Sequence, residues 1–385
     1  LPSLLLQAKL AAGATSEALP EPEGLASEHI PAEPIRHESG RREGLHLMGN
    51  RLRVALVNSA MNSSKLGKYS ELFEPMPVLG IASLCAVAER AGCSVRAFDQ
   101  FVSGSPVSQL AKDIARFEPD VVGFGILTPA AEVCELLASA LRAHLPDCII
   151  VAGNIHADVF SEEVLRWGSV DVVVHGEGEE TFEEILRCLQ HSCSVEALVG
   201  VAGLSRRTQH GEVVREEDRP VLADLDSLPM PAWQHLPIHN YGLLPLADLA
   251  KPTLVMSASR GCPYRCEFCS LVHNGSTHRK RSAQGVVEEF EYLHRRFGAR
   301  QIGFVDPMFP LDKKVCYEFC EGVLRRGLEK EVVWISETRV DAIDRDTLRL
   351  MRRSGCRRLL FGIESGVDLL LSNVSKSFST EAVHK

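Results

Sequence analysis

No stretch of the 385 residues approaches the roughly 18 unbroken apolar residues of a membrane helix, which argues against a membrane span. The leading Leu-Pro-Ser-Leu-Leu-Leu is too short for a secretory h-region and follows no basic n-region. Without an export signal, the 12 cysteines make an unlikely disulfide framework, and metal or redox use becomes the better reading. There is no excess of positive charge either. The chain has 42 Lys+Arg against 51 Asp+Glu, a net of −9, which disfavours non-specific nucleic-acid binding. Long-period repeats are missing. A hydrophobic share of 45% and a charged share of 24% exclude bulk disorder and a collagenous chain.

The length suits two or three domains, and the charge is split between the two ends of the chain. Residues 251–385 carry 23 Lys+Arg against 17 Asp+Glu, a net of +6, leaving 19 against 34, a net of −15, for the rest. Residues 1–50 are rich in Ala, Glu, Pro, Gly and Ser without periodicity and read as a disordered or non-native leader, with a natural start near Met48. From residue 51 short apolar runs at 54–57, 94–98, 121–126, 149–152 and 172–174 alternate with helical stretches at 79–91, 108–117, 130–145, 162–167 and 179–190. That alternation predicts a doubly wound parallel sheet over 51–198, with its ligand edge beyond the strand C-termini.

Residues 199–219 read as a small hairpin turning near Gln209-His210-Gly211, and residues 220–250, with five prolines, as an irregular linker. A second α/β series fills 251–385. Strands are expected at 253–257, 301–305, 332–336 and 358–362, and helices at 283–297, 313–326 and 344–354.

The densest chemistry is Ser259-Arg-Gly-Cys262-Pro-Tyr-Arg-Cys266-Glu-Phe-Cys269, three cysteines at C-x3-C-x2-C spacing directly after a strand. Three soft thiolates can hold three irons of a four-iron cluster and leave the fourth iron open to an exogenous ligand. The alternative is a zinc knuckle completed by His273 or His278, or three merely buried cysteines. Cys85, Cys93, Cys134, Cys148, Cys188 and Cys193 show no ligand spacing, and Cys316 and Cys320 share a helix face that reads as packing in the interior.

At this motif the sequence resembles the radical S-adenosylmethionine (SAM) superfamily. The resemblance implies a partial (β/α)6 barrel, here ending after its fourth strand at an unpaired edge, with chemistry at the strand C-termini. It implies a [4Fe-4S] cluster on Cys262, Cys266 and Cys269, whose open iron chelates SAM, and cleavage of SAM to a 5′-deoxyadenosyl radical. Phe268 would lie near the adenine. Asp306 would hold the SAM amino group, and Arg339, Glu364 and Ser365 end the third and fourth barrel strands near SAM. Upstream, the segments around Thr128, Ile149-Ile-Val-Ala-Gly153-Asn154-Ile-His156 and His175-Gly176-Glu177-Gly178 look like the cobalamin-binding domain often fused ahead of such barrels. Those residues would line cobalamin.

Two departures stand out. There is no Asp-x-His-x-x-Gly motif to supply an axial histidine, and Asn154 stands where a second glycine is expected. A lone His156 after a strand is ordinarily a capping or solvent-facing residue.

The whole reads as a cobalamin-dependent radical SAM methyltransferase acting on a carbon or phosphorus of a small molecule or lipid. An electron donor such as flavodoxin or ferredoxin and a low-oxygen cytoplasm are implied. The rivals are a radical oxidoreductase or cyclase of the magnesium-protoporphyrin ester type and a non-catalytic cobalamin- and cluster-binding fragment. The radical SAM methylthiotransferases carry a further three-cysteine cluster that is missing here.

Overall fold

The computed structural model describes residues 51–61, 74–208, 210–243, 248–269 and 277–384. The leader, His273 and Pro245 lie outside the described residues. Five parallel strands open the fold: β1 (Arg53–Asn58), β2 (Ser94–Asp99), β3 (Val121–Gly125), β4 (Ile149–Gly153) and β5 (Val172–Val174). Their order in the sheet is β2-β1-β3-β4-β5. Val54 sits between Val95 and Val121 in register, and Val121 faces Ile149.

These β-branched runs are buried on both faces because helices cover both. Successive residues of β1 go to opposite cores. Val54 and Leu56 pack with Ile81, Cys85, Phe182 and Ile185, from α1 (Leu79–Arg90) and from the helix that follows β5. Ala55 and Val57 pack with Leu110, Ile114, Leu137 and Leu141 on the other side. After α1 come α2 (Gln100–Ser103), α3 (Val107–Arg116), α4 (Ala131–His144), α5 (Asn154–Val159), α6 (Ser161–Arg166) and α7 (Gly178–His191).

The hairpin expected at 199–219, beyond the sheet expected over 51–198, belongs to this sheet. β6 (Leu204–Arg207) pairs antiparallel with β5, Val172 facing Arg206, and β7 (Val213–Arg215) pairs with β6. β5 has only three residues and would otherwise expose an unpaired edge, which the hairpin covers. The seven-stranded sheet thus runs to residue 215.

The second sheet has the order β13-β12-β11-β8, all parallel, from β8 (Thr253–Met256), β11 (Gln301–Phe304), β12 (Val333–Thr338) and β13 (Cys356–Phe361). Helices α8 (Ala283–Phe297), α9 (Lys313–Arg325) and α10 (Arg345–Arg353) connect them. Phe290, Phe304, Phe309, Phe319 and Trp334 interlock between strands and helices, mostly edge to face. Trp334 Nε1 donates to Ser354 O at 3.0 Å, so the ring is both packed and satisfied. Among the described residues β13 is the last strand of this sheet and forms its edge.

A two-residue antiparallel pair, β9 (Ser259–Arg260) and β10 (Arg279–Lys280), and two helices, α11 (Asp368–Asn373) and α12 (Thr380–His384), complete the chain. One continuous apolar core runs from α1 and α7 through Trp233 and Tyr241 of the linker into the second sheet. Among the described residues no helix is long and apolar enough to cross a membrane.

Candidate functional site

The cysteine loop leaves and returns at one point. β8 ends at Met256, and β9 pairs with β10, placing Arg260 opposite Arg279 and Ser259 opposite Lys280. Arg260 and Arg279, on either side of the cysteine segment, are thereby brought together just beyond β8. Gly261 makes the closure possible. Its φ is +77°, and a Cβ there would lie 2.3 Å from the Thr277 carbonyl oxygen.

Within the loop Cys266 is buried and Cys262 and Cys269 are half-buried. The Cys269 N–H donates to the Cys266 carbonyl at 3.0 Å. Burial pushes the Cys262 thiol up, a hydrogen bond from the Tyr264 backbone pulls it down, and the neighbouring Cys269 and Cys266 push it up again. Among the described residues no three His, Cys, Asp or Glu side chains converge on a single ion. In an iron–sulfur cube each thiolate binds a different iron. Three thiolates, each able to bind a different iron, are a donor set that fits such a cube. His278 is half-buried, and burial lowers its affinity for a proton.

The strand ends around the loop carry the other residues read from the sequence. Asp306, just past β11, is buried, and both its oxygens accept from the Ala258 N–H (3.1 and 3.0 Å); Oδ1 also accepts from the Ser259 hydroxyl at 2.6 Å. Burial pushes its carboxyl up to about 6, against these hydrogen bonds. The residue expected to meet SAM thus holds the lead-in to the cysteine loop.

Arg339 follows β12. It pairs with both oxygens of Asp341 at 2.9 Å, donates to Ser377 at 2.9 Å, and lies 3.8 Å over the Tyr264 ring and 5.1 Å over Phe378. Glu364 has a φ of +68° and stands 3.3 Å from Lys376. Ser365 Oγ accepts from the Val367 N–H at 3.1 Å. Lys376 donates to Gly362 O at 2.9 Å and lies 5.5 Å over Phe268, whose ring is largely exposed.

Tyr264, Lys376 and Phe378 escaped sequence reasoning. Residues 374–378 lie against the cysteine loop, with Glu267 N–H donating to Val374 O at 3.3 Å and Ser375 Oγ to Glu267 Oε1 at 3.1 Å.

On the first sheet, the expected residues gather at the strand C-termini. Thr128 Oγ1 lies 3.3 Å from His156 Nδ1. His156 is buried and not solvent-facing, because it packs on Phe160 with ring centroids 4.9 Å apart. Its Nε2 has no partner among the described residues. A buried nitrogen left open at the ligand edge, beside a hydroxyl, fits a bound polar group. Asn154 adopts a φ of +74°, the left-handed geometry of the glycine it replaces. Gly176 N–H donates to Asp158 Oδ2 at 3.2 Å, and Gly178 opens α7.

His175 bridges Asp158 (2.8 Å) and Ser205 (2.8 Å), a chain the sequence reading did not anticipate. Ser205 is 2% exposed, so this chain ties α5 to β5 and β6 and offers no accessible nucleophile. Glu177 and Glu179 do not point to an open edge. Their carboxylates pair with Arg279 and Arg260, one at each end of the cysteine loop.

Residues 70–186 match the B12 binding domain family and residues 256–383 the Radical SAM superfamily. An uncharacterized methyltransferase of Pyrococcus horikoshii is 31% identical over 79% of this chain and 64% of its own length. The anaerobic magnesium-protoporphyrin IX monomethyl ester cyclase of Cereibacter sphaeroides is 30% identical over 80% of this chain and 50% of its own. The chain thus spans about half to two-thirds of these relatives. The cobalamin-dependent S-adenosylmethionine radical enzyme OxsB, solved with aqua-cobalamin and S-adenosylmethionine, superposes with a TM-score of 0.70 at 20% identity, over 86% of this chain and 46% of OxsB, a likeness of fold.

Proposed function

The chain is a radical SAM superfamily protein with a B12-binding domain ahead of its radical SAM domain, and from that premise we propose that it is a cobalamin-dependent methyltransferase for a carbon or phosphorus atom of a small molecule or lipid. The observation that carries the reading is the three-cysteine segment beyond β8, whose two paired ends are gripped by carboxylates from the ligand edge of the B12-binding sheet. Cys262, Cys266 and Cys269 would hold the cluster. Thr128, Asn154 and His156 would contact cobalamin, and Phe268, Arg339, Glu364 and Ser365 would border SAM.

When bound, the cluster supplies an electron to SAM and cobalamin supplies a methyl group. The chain's own part is placement. Asp306 fixes the lead-in to the loop, and Arg339 backs Tyr264 between the first two cysteines. We read the four-stranded sheet as the first four strands of a (β/α)6 barrel. An acidic one-electron carrier such as flavodoxin or ferredoxin, in a low-oxygen cytoplasm, would be the reductant.

Oxidative cyclisation with the same parts is the second reading, favoured by the similarity to the cyclase. Anaerobic, iron-reconstituted protein with cobalamin, dithionite and methyl-labelled SAM tests both. Methyl transfer requires S-adenosylhomocysteine as well as 5′-deoxyadenosine, whereas 5′-deoxyadenosine alone supports cyclisation. In either case Cys266→Ala abolishes 5′-deoxyadenosine formation. Neither product from the wild type would overturn the enzyme reading.

A further inference from the structure

We infer that Glu177 and Glu179, clasped to Arg279 and Arg260, are positioning residues that fix the cysteine loop against the B12-binding sheet. The inference rests on the reading that the loop holds a cluster and the Gly176–Gly178 turn borders cobalamin.

Arg260 is two residues before Cys262, and Arg279 is where the loop returns. Arg260 reaches both oxygens of Glu179, at 2.5 and 3.2 Å, and stands 3.4 Å from Glu177. Arg279 holds both oxygens of Glu177, at 2.5 and 2.9 Å, and donates to Leu222 O of the linker at 2.6 Å. These are forked, planar pairings, the geometry that gives a guanidinium–carboxylate contact directional as well as electrostatic hold.

All four side chains are largely withdrawn from solvent, from 11% exposure for Glu179 and Arg279 to 27% for Arg260. Two positive and two negative groups compensate one another, so removal of one side leaves buried charge without a partner. Burial raises the Glu177 carboxyl, but Arg279 and Arg260 outweigh it and hold the group ionised below the usual carboxylate range. β9 and β10 pair over only two residues each. The clasp adds an anchor at each of these two ends, and it comes from the turn that also opens α7. It is the anchor that ties the ends of the cysteine segment to the B12-binding sheet.

A generic ion pair on α7 provides the control. Glu183 pairs with Arg90 (2.5 Å) and Arg187 (2.7 Å), neither of them in the cysteine segment. The experiment compares wild type, Glu177→Gln/Glu179→Gln, Glu183→Gln and the charge-conserving Arg279→Lys.

In the cofactor-free full chain, hydrogen exchange at residues 259–262 and 277–281 is expected to be about tenfold faster in the double variant. It stays at the wild-type rate in Glu183→Gln and is intermediate in Arg279→Lys. After reconstitution with iron, sulfide and cob(II)alamin, pulsed EPR reads the distance between reduced cluster and cobalt. That distribution is narrow in wild type and Glu183→Gln, broad in the double variant and largely restored to narrow in Arg279→Lys.

Unchanged exchange at the loop ends, or an unchanged narrow distance, overturns the inference. If the double variant exchanges fast everywhere, Arg279→Lys alone decides, by acceleration confined to the loop ends or its absence. Wild-type protein that takes up no cluster or no cobalamin refutes the functional reading instead, and the cofactor-free exchange still decides the clasp.

Discussion

Asp306 offers the sharpest test of how the barrel supports its cysteine loop. The carboxyl is fully enclosed, its donors are the Ala258 N–H and the Ser259 hydroxyl, and burial lifts it from the ordinary 3.8 to about 6. The folded chain therefore binds this proton more tightly than the unfolded chain. Stability from the group is full below about pH 4 and is lost as pH rises through about 6. A shift of about two units corresponds to about 3 kcal/mol between those limits.

Asp306→Asn keeps one acceptor oxygen for the same donors and cannot ionise. Urea denaturation of wild type and variant at pH 4, 5, 6 and 7 isolates the group, since all other titrations cancel in the difference. The wild type should lose about 2.5 kcal/mol relative to Asp306→Asn between pH 4 and pH 7, most of it between pH 4.5 and 6.5. A difference that stays level across that interval would refute the buried-carboxylate argument. A difference that grows in favour of the wild type would mean that the ionised form is the better held.

Gly261→Ala places a residue in left-handed geometry, at a cost of about 1–2 kcal/mol, and forces β9 and β10 apart, so iron uptake on reconstitution should fall sharply; undiminished iron per chain would contradict the closure. Tyr241 of the linker donates to Asp99 at 2.6 Å in the interior, so Tyr241→Phe should cost about 1–3 kcal/mol in denaturant unfolding, and a loss below about 0.5 kcal/mol would show the bond to be expendable. Asn154→Ala should destabilise by about 1 kcal/mol while Asn154→Gly does not, because the position needs φ near +74°; equal melting temperatures would remove the argument from backbone geometry.

What was legible in the sequence was whatever its residues decide locally. Val-rich runs separated by helical periods made a parallel sheet the economical reading, and the helix over Ala283–Phe297 has the boundaries its Ser282 cap and its apolar spacing require. The cysteines were legible for the same reason, since three ligands within eight residues need no distant partner to form a set. The hairpin was visible as a hairpin, but not as part of the sheet. Its placement depends on the short open edge of β5, which no residue of 199–219 encodes.

Glu177 shows where local reading stops. The Gly-Glu-Gly-Glu run marks a turn at the ligand edge, and the turn is there, with Gly176 at φ +64°. Its carboxylates, however, face arginines 102 and 81 residues further along the chain. Glycine spacing specifies where backbone bends. What a side chain meets after the bend is set by how two sheets pack through Trp233 and Tyr241 into one core. The same holds for Asp306, which the strand-end position marks as polar and important but whose partners lie 48 and 47 residues upstream. In both cases an acidic residue at a strand end, which invites a ligand-binding interpretation, is directed by the packing toward the protein's own loop. In this fold the acidic residues nearest the cysteine loop act first on its shape, and substitutions there should be judged by loop order before they are judged by activity.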